Sequence, residues 1–75
     1  MNLSMLPVGT QAMIKEVIAS GMLQQKLFDM GFIAGKIVEV VRLSPLSDPM
    51  EVLIEGSHIG IRKEEASFVL IKEGA

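Results

Sequence analysis

His58 is the only histidine of the chain, and Glu64-Glu65 is its one adjacent pair of carboxylates. Groups of this kind move protons or hold metal ions when they converge. With no cysteine in the chain, a metal site around His58 has to recruit carboxylates or a second chain. The plainer reading of His58 is a solvated side chain beside a hairpin turn. Neighbouring residues on a helix point in different directions, so Glu64 and Glu65 do not converge on one proton. Ser44, Ser47, Ser57 and Ser67 have no base within plausible reach except His58, which leaves nucleophilic catalysis without support. The glycines form neither GxGxxG nor a P-loop, and Gly31 ends a helix where phosphate binding needs one to begin. Binding, not catalysis, is the expected chemistry, and no cofactor is expected beyond a divalent metal at an oligomer contact.

The residues that suggest binding lie in Ser44-Pro45-Leu46-Ser47-Asp48-Pro49-Met50. Two prolines mark a connection, since neither donates a ladder hydrogen bond. Leu46 sits between them, and it has two readings. It plugs the open end of a barrel, with Asp48 accepting nearby backbone N–H groups in an Asx-turn, or it is presented to a partner.

The flanking elements are mostly strands. Pro7-Val8-Gly9 is a turn signal, and Ala12 and Ile14 share one face of a strand. The next inward residue is Val17 and not Glu16, which predicts a β-bulge. Ser20-Gly21 opens a helix with the Ser20 hydroxyl as its cap. Leu23, Leu27 and Met30 form its apolar stripe, and Gly31 stands where a left-handed residue terminates it. A helix of about ten residues is marginal alone and has to pack on a sheet. Lys36 to Leu43 alternates around Glu39 as a strand. Met50, Val52 and Ile54 share the inner face of the next, Gly56-Ser57 turns, and Ile59 and Ile61 return inward. Lys63 to Ser67 reads as one helical turn, and Phe68 to Ile71 as a final strand, apolar on both faces and open to edge pairing. The expected architecture is mainly β: a small five-stranded barrel with one short helix between strands 1 and 2.

Composition bounds the function further. The 75 residues form one domain, 1–75, near the lower limit for a self-sufficient core. The chain is 49% hydrophobic with a mean hydropathy of +0.46, so some apolar surface is expected outside, favouring docking or homo-oligomers. Seven Lys and Arg against nine Asp and Glu give a net charge of −2. The cations Lys15, Lys26, Lys36, Arg42, Arg62, Lys63 and Lys72 are scattered among acids, which disfavours nucleic acid. Phe28, Phe32 and Phe68 are the only aromatic residues, too few for a polyproline groove or a base-stacking platform. The lack of cysteine, of a signal-peptide pattern at the start, and of any apolar run long enough to span a bilayer leads to the expectation of a cytoplasmic domain with no direct membrane insertion.

The segment Lys26-Leu27-Phe28-Asp29-Met30-Gly31-Phe32-Ile33-Ala34-Gly35-Lys36-Ile37-Val38-Glu39-Val40 resembles the FeoA family, ferrous iron transport protein A. That family has R-L-x-x-L-G-[LF]-x-P-G-x-x-V-x-V at the helix end and second strand. Ser44 to Pro49 is similar to its A-P-L-G-D-P, Ile59 to Ala66 to its L-A-L-R-x-x-E-A, and Leu6 to Ile14 to its opening L-x-x-G-x-x-A-x-I. The chain departs from the pattern at Lys26, Met30, Ala34, Ser44, Ser47 and Gly60. The resemblance implies an SH3-like barrel that assists the FeoB ferrous iron transporter, through the transporter's cytosolic GTPase domain. Similar domains also occur in iron-dependent repressors of the DtxR type. On this reading the docking residues are Phe32, Pro45 and Leu46, with Asp48 and Arg62 orienting the contact. Of Phe32 and Ile33, which follow the helix stop, only one can face inward. The rival readings are a metal-binding sensor, with His58 and carboxylates holding Fe²⁺ across a dimer, and an SH3-like domain regulating an iron-dependent repressor.

Overall fold

The computed structural model describes residues 1–72. Five strands form one antiparallel sheet: β1 (Gln11–Val17), β2 (Ile37–Leu43), β3 (Met50–Ile54), β4 (Ser57–Ile61) and β5 (Val69–Lys72). The strand order is β4-β3-β2-β1-β5. Helix α1 (Gly21–Asp29) lies between β1 and β2, and the single turn α2 (Lys63–Ala66) lies between β4 and β5. This is the mainly β architecture that the strand pattern predicts, with one helix between the first two strands.

β1 turns the sheet into a partial barrel. Its first half pairs with β2 through Gln11, Ala12 and Met13, and its second half pairs with β5 from Met13 to Val17. The register shifts between Ile14 and Glu16, skipping Lys15, as expected from the slipped pattern. An extra residue in one strand bends it, and so lets one strand serve two neighbours. A second shift falls between Val40 and Arg42 in the β2–β3 pairing. The valines Val38, Val40 and Val41 of β2 carry no slip that would reveal it.

Ala12, Ile14, Val38, Val40, Met50, Val52, Ile54, Ile61, Val69 and Ile71 are buried from the strands, and Leu27 from α1. Leu23, Met30, Val17, Ile59 and Phe68 are half-buried against them. The helix stripe therefore packs on the sheet as its spacing predicts. Leu3, like Ala19, is buried without a role in the sequence pattern. Leu3 lies in a short 3₁₀ turn (Leu3–Met5) with no solvent exposure, and Asn2 caps that turn by accepting from the Ser4 N–H at 3.0 Å.

Two local expectations are corrected. Ser20 precedes α1 in extended conformation, and its hydroxyl makes no cap bond. Gly21 enters the helix with φ +63°, which turns the chain before the hydroxyl can reach a first-turn amide. The β3–β4 hairpin turns at Glu55-Gly56, not at Gly56-Ser57, because Ile54 pairs directly with Ser57. Both turn residues have positive φ, 49° and 83°, the geometry whose twist matches the flanking strands.

β5 is an edge strand, but its outer side is not open. The Ile71 N–H donates to the Met1 carbonyl at 3.1 Å, and Asn2 bridges to Leu70. The N-terminal segment thus covers the edge that the apolar β5 run seemed to offer.

Candidate functional site

The loop between β2 and β3 is held from three sides. The Ser47 N–H donates to the Ser44 carbonyl at 2.7 Å, and the Ser44 N–H donates to the Pro49 carbonyl at 3.1 Å. Asp48 Oδ1 accepts from the Lys63 N–H at 2.9 Å. That last bond satisfies one of the first N–H groups of α2, which no intrahelical carbonyl can reach. The Asx-turn expected of Asp48 is thus replaced by a bond to a residue 15 positions away. With the loop tied down, Leu46 stands out of it, 90% exposed. The plug reading of Leu46 does not describe this structure; the side chain is presented to solvent.

Phe32 is the opposite case. Its exposure is 0%, while Ile33 beside it is 46% exposed. Phe32 is therefore no docking residue in this structure, and the reason lies in how α1 ends. The Gly31 N–H donates to the Phe28 carbonyl and the Phe32 N–H to the Leu27 carbonyl, both at 3.0 Å. This pair of bonds is the Schellman motif, which folds the residue after the left-handed glycine back onto the last turn. Phe32 is delivered onto Leu27, itself at 0% exposure. The signal was present in the sequence as a Gly followed by an apolar residue, and it identifies Phe32 as the inward member of the pair.

Beside the loop lies a groove of about 650 Å³, lined by Leu43, Pro45, Pro49, Met50 and Ile59 among others. Arg42, Glu51 and His58 also line it and form a polar chain. The Arg42 guanidinium donates to Glu51 Oε1 at 2.7 Å, and His58 Nδ1 lies 2.8 Å from Glu51 Oε2. The Arg42 bond first, and His58 second, hold the Glu51 carboxyl below the usual glutamate range. Arg42 and Glu51 face each other as a cross-strand pair, a pairing that the strands on either side of the loop imply once their register is known.

Arg62 is exposed, and its guanidinium makes no ion pair among the described residues. Its backbone N–H donates to Glu65 Oε1 at 3.1 Å, so the Glu65 carboxylate meets the main chain of Arg62. The other Glu65 oxygen accepts from Lys26 of α1 at 2.5 Å. The structure thus brings Pro45, Leu46 and Asp48 together on one loop, ties that loop to the residue after Arg62, and leaves Phe32 in the core. Among the described residues no three His, Cys, Asp or Glu side chains form a metal-ligand cluster. Ser44 Oγ is buried without a hydrogen-bond partner, at the position where the family pattern has alanine. A serine there leaves a desolvated hydroxyl unpaired.

The FeoA domain model matches residues 1–73. A fusion of Fe(2+) transport protein A with the Fe(2+) transporter FeoB from Porphyromonas gingivalis is 35% identical over 72 residues, 96% of this chain and 8% of that protein. The chain therefore spans a small fraction of that relative. Among solved structures, iron(II) transport protein A from Clostridium thermocellum is 40% identical with a TM-score of 0.92, covering 96% of this chain and 44% of that one. FeoA from Stenotrophomonas maltophilia, a procaryotic SH3 domain protein solved with zinc, is 29% identical with a TM-score of 0.85, covering 96% and 89%. The likeness to T. acidophilum IdeR, at 21% identity, TM-score 0.80 and coverage of 92% and 32%, is one of fold alone. With a family model that runs almost from end to end and relatives that share the sheet, this chain belongs to the FeoA family.

Proposed function

We propose that this chain is an accessory module of ferrous iron uptake that docks on the cytosolic GTP-binding domain of a FeoB-type transporter and catalyses no reaction itself. The observation that carries the docking reading is the fixed, 90% exposed Leu46 on its tied loop. Exposed apolar anchors on rigid supports are favourable contact points, because little conformational entropy is lost when they are buried. The fusion of a similar chain to a FeoB transporter in the Porphyromonas gingivalis relative supports the choice of partner. Pro45 flanks the anchor. Arg62 supplies a cation on the surface below the loop, and Asp48 acts indirectly by holding the loop in place. On this reading the encounter takes place in the cytoplasm.

Calorimetric titration of the chain with the cytosolic domain of its own transporter, in each nucleotide state, tests this reading. Wild type should bind, and Leu46→Asp should bind at least about tenfold more weakly while keeping its fold, since the side chain touches little. A well-folded Leu46→Asp variant that binds as wild type does would show that the loop is not the docking element. Failure of wild type to bind in every nucleotide state would remove this domain as the partner.

A further inference from the structure

We infer that the outer edge of β4 is a self-association surface, on which a second copy of this chain adds its own β4 as an antiparallel strand. The hairpin geometry decides which backbone groups are free. Ile54 and Ser57 flank a two-residue turn, and Val52 with Ile59 and Met50 with Ile61 are the next alternate pairs. In such a hairpin these pairs exchange their N–H and C=O groups with β3, and the residues between them point theirs the other way. His58 and Gly60 therefore aim both backbone groups outward, at the end of the strand order. No backbone hydrogen bond among the described residues meets them there.

This edge also lacks the usual protections. Ser57-His58-Ile59-Gly60-Ile61 contains no proline, lysine, arginine or acid, the devices that blunt an open strand. The opposite edge of the sheet is covered by Met1 and Asn2; no described residue pairs with this one. A Cβ built on Gly60 meets nothing within 4 Å, and the groove beside the loop opens along Ile59 and Gly60.

The occupant is named by self-complementarity. Two copies related by a two-fold axis at Ile59 set His58 opposite Gly60 of the second copy, and Gly60 opposite His58 of the second copy. Both are then pairs that exchange hydrogen bonds, as their outward groups require, and Ile59 meets Ile59 at the closer, non-bonded position. Each imidazole lies over a glycine that offers no side chain. Behind that glycine stands Glu51, the β3 partner of Gly60, whose two oxygens are held by Arg42 and His58 of its own copy, so the match between copies is one of backbone groups. The neighbouring registers lose this match. An axis at His58 sets the two imidazoles against each other, and an axis at Gly60 sets His58 against Arg62.

Sedimentation and amide exchange test the inference. The 8.1 kDa chain should rise towards twice that mass at millimolar concentration, and the His58 and Gly60 amides should exchange at least about tenfold more slowly than in dilute solution. Gly60→Lys has room for its Cβ, so it should fold and stay at the monomer mass. The chain has no cysteine, so Ile59→Cys reports directly. Cα atoms opposite each other at a non-bonded position are about 4.5 Å apart, within disulfide range. Mild oxidation should join Ile59→Cys into dimers much faster than Met22→Cys, a 91% exposed control on α1. A monomer at every concentration, or a dimer whose His58 and Gly60 amides exchange freely, overturns the inference. Protection of these amides by the transporter's cytosolic domain, with none by the chain itself, also overturns it and assigns the edge to that partner.

Discussion

Phe32 and Leu46 look alike in the sequence: each is an apolar residue set among turn formers between two elements. In the fold they are opposites, one wholly buried and the other 90% exposed. Hydrophobicity does not separate them; the backbone hydrogen bonds around them do. Phe32 follows a helix stop whose two carbonyl-seeking N–H groups curl the chain inward onto Leu27. Leu46 sits in a loop whose polar groups are satisfied by the loop itself and by the start of α2. Nothing draws that side chain inward. The lesson is that a turn fixes where its apolar residue goes through the carbonyls and amides it must satisfy.

This contrast is sharpest in stability. Phe32→Ala should lose about 3–5 kcal/mol, the cost of a large core truncation, while Leu46→Ala should stay within about 0.5 kcal/mol of wild type. Denaturant unfolding of the two variants checks the pair, and equal losses would erase the distinction. Gly31→Ala comes next, at about 1–2 kcal/mol, since an added Cβ disfavours the left-handed backbone. The nearest atom to that Cβ is 3.9 Å away at Ile54 and the φ is +103°, so the loss reports backbone strain and not a clash. A loss well under that range would mean that the helix stop does not depend on the glycine.

Asp48→Ala should cost about 1 kcal/mol, the usual value of a side chain that caps a helix start. Its larger consequence is motional: faster amide exchange at Ser47 and at Lys63, because both ends of the tie are released. Unchanged exchange there would show that the loop is held by its own turn alone. The smallest effect concerns acid. Lys26, and then the Arg62 N–H, hold the Glu65 carboxyl below its ordinary value of 4.5. A carboxyl depressed by folding contributes fully above that value, and the contribution fades as pH falls below it. Glu65→Gln should therefore flatten the fall of stability in acid, by under about 1 kcal/mol for a partly exposed pair. Parallel acid curves for variant and wild type would contradict this.

The fold was legible where alternation or helical spacing is strong. Ala12 with Ile14, and Met50 with Val52 and Ile54, announce strand faces, and the slip to Val17 announces the first bulge. The bulge in β2 was not legible, because Val38 to Val41 offers an apolar side chain at most positions whichever face is inner. Leu3 was missed for another reason: three residues of a 3₁₀ turn show no period. For the site, the loop was legible from its prolines and its lone leucine. The bond from Asp48 to Lys63 was not, since it joins residues that only the closed sheet brings together. Phe32 was legible in principle, through the glycine before it.

The most direct test of the account is an isotope-edited titration of this chain with the transporter's cytosolic domain. The account predicts that the largest shift changes fall on Leu46 and the residues flanking it, with Phe32 and Leu27 unmoved. Changes centred elsewhere on the surface, with the loop resonances still, would contradict it.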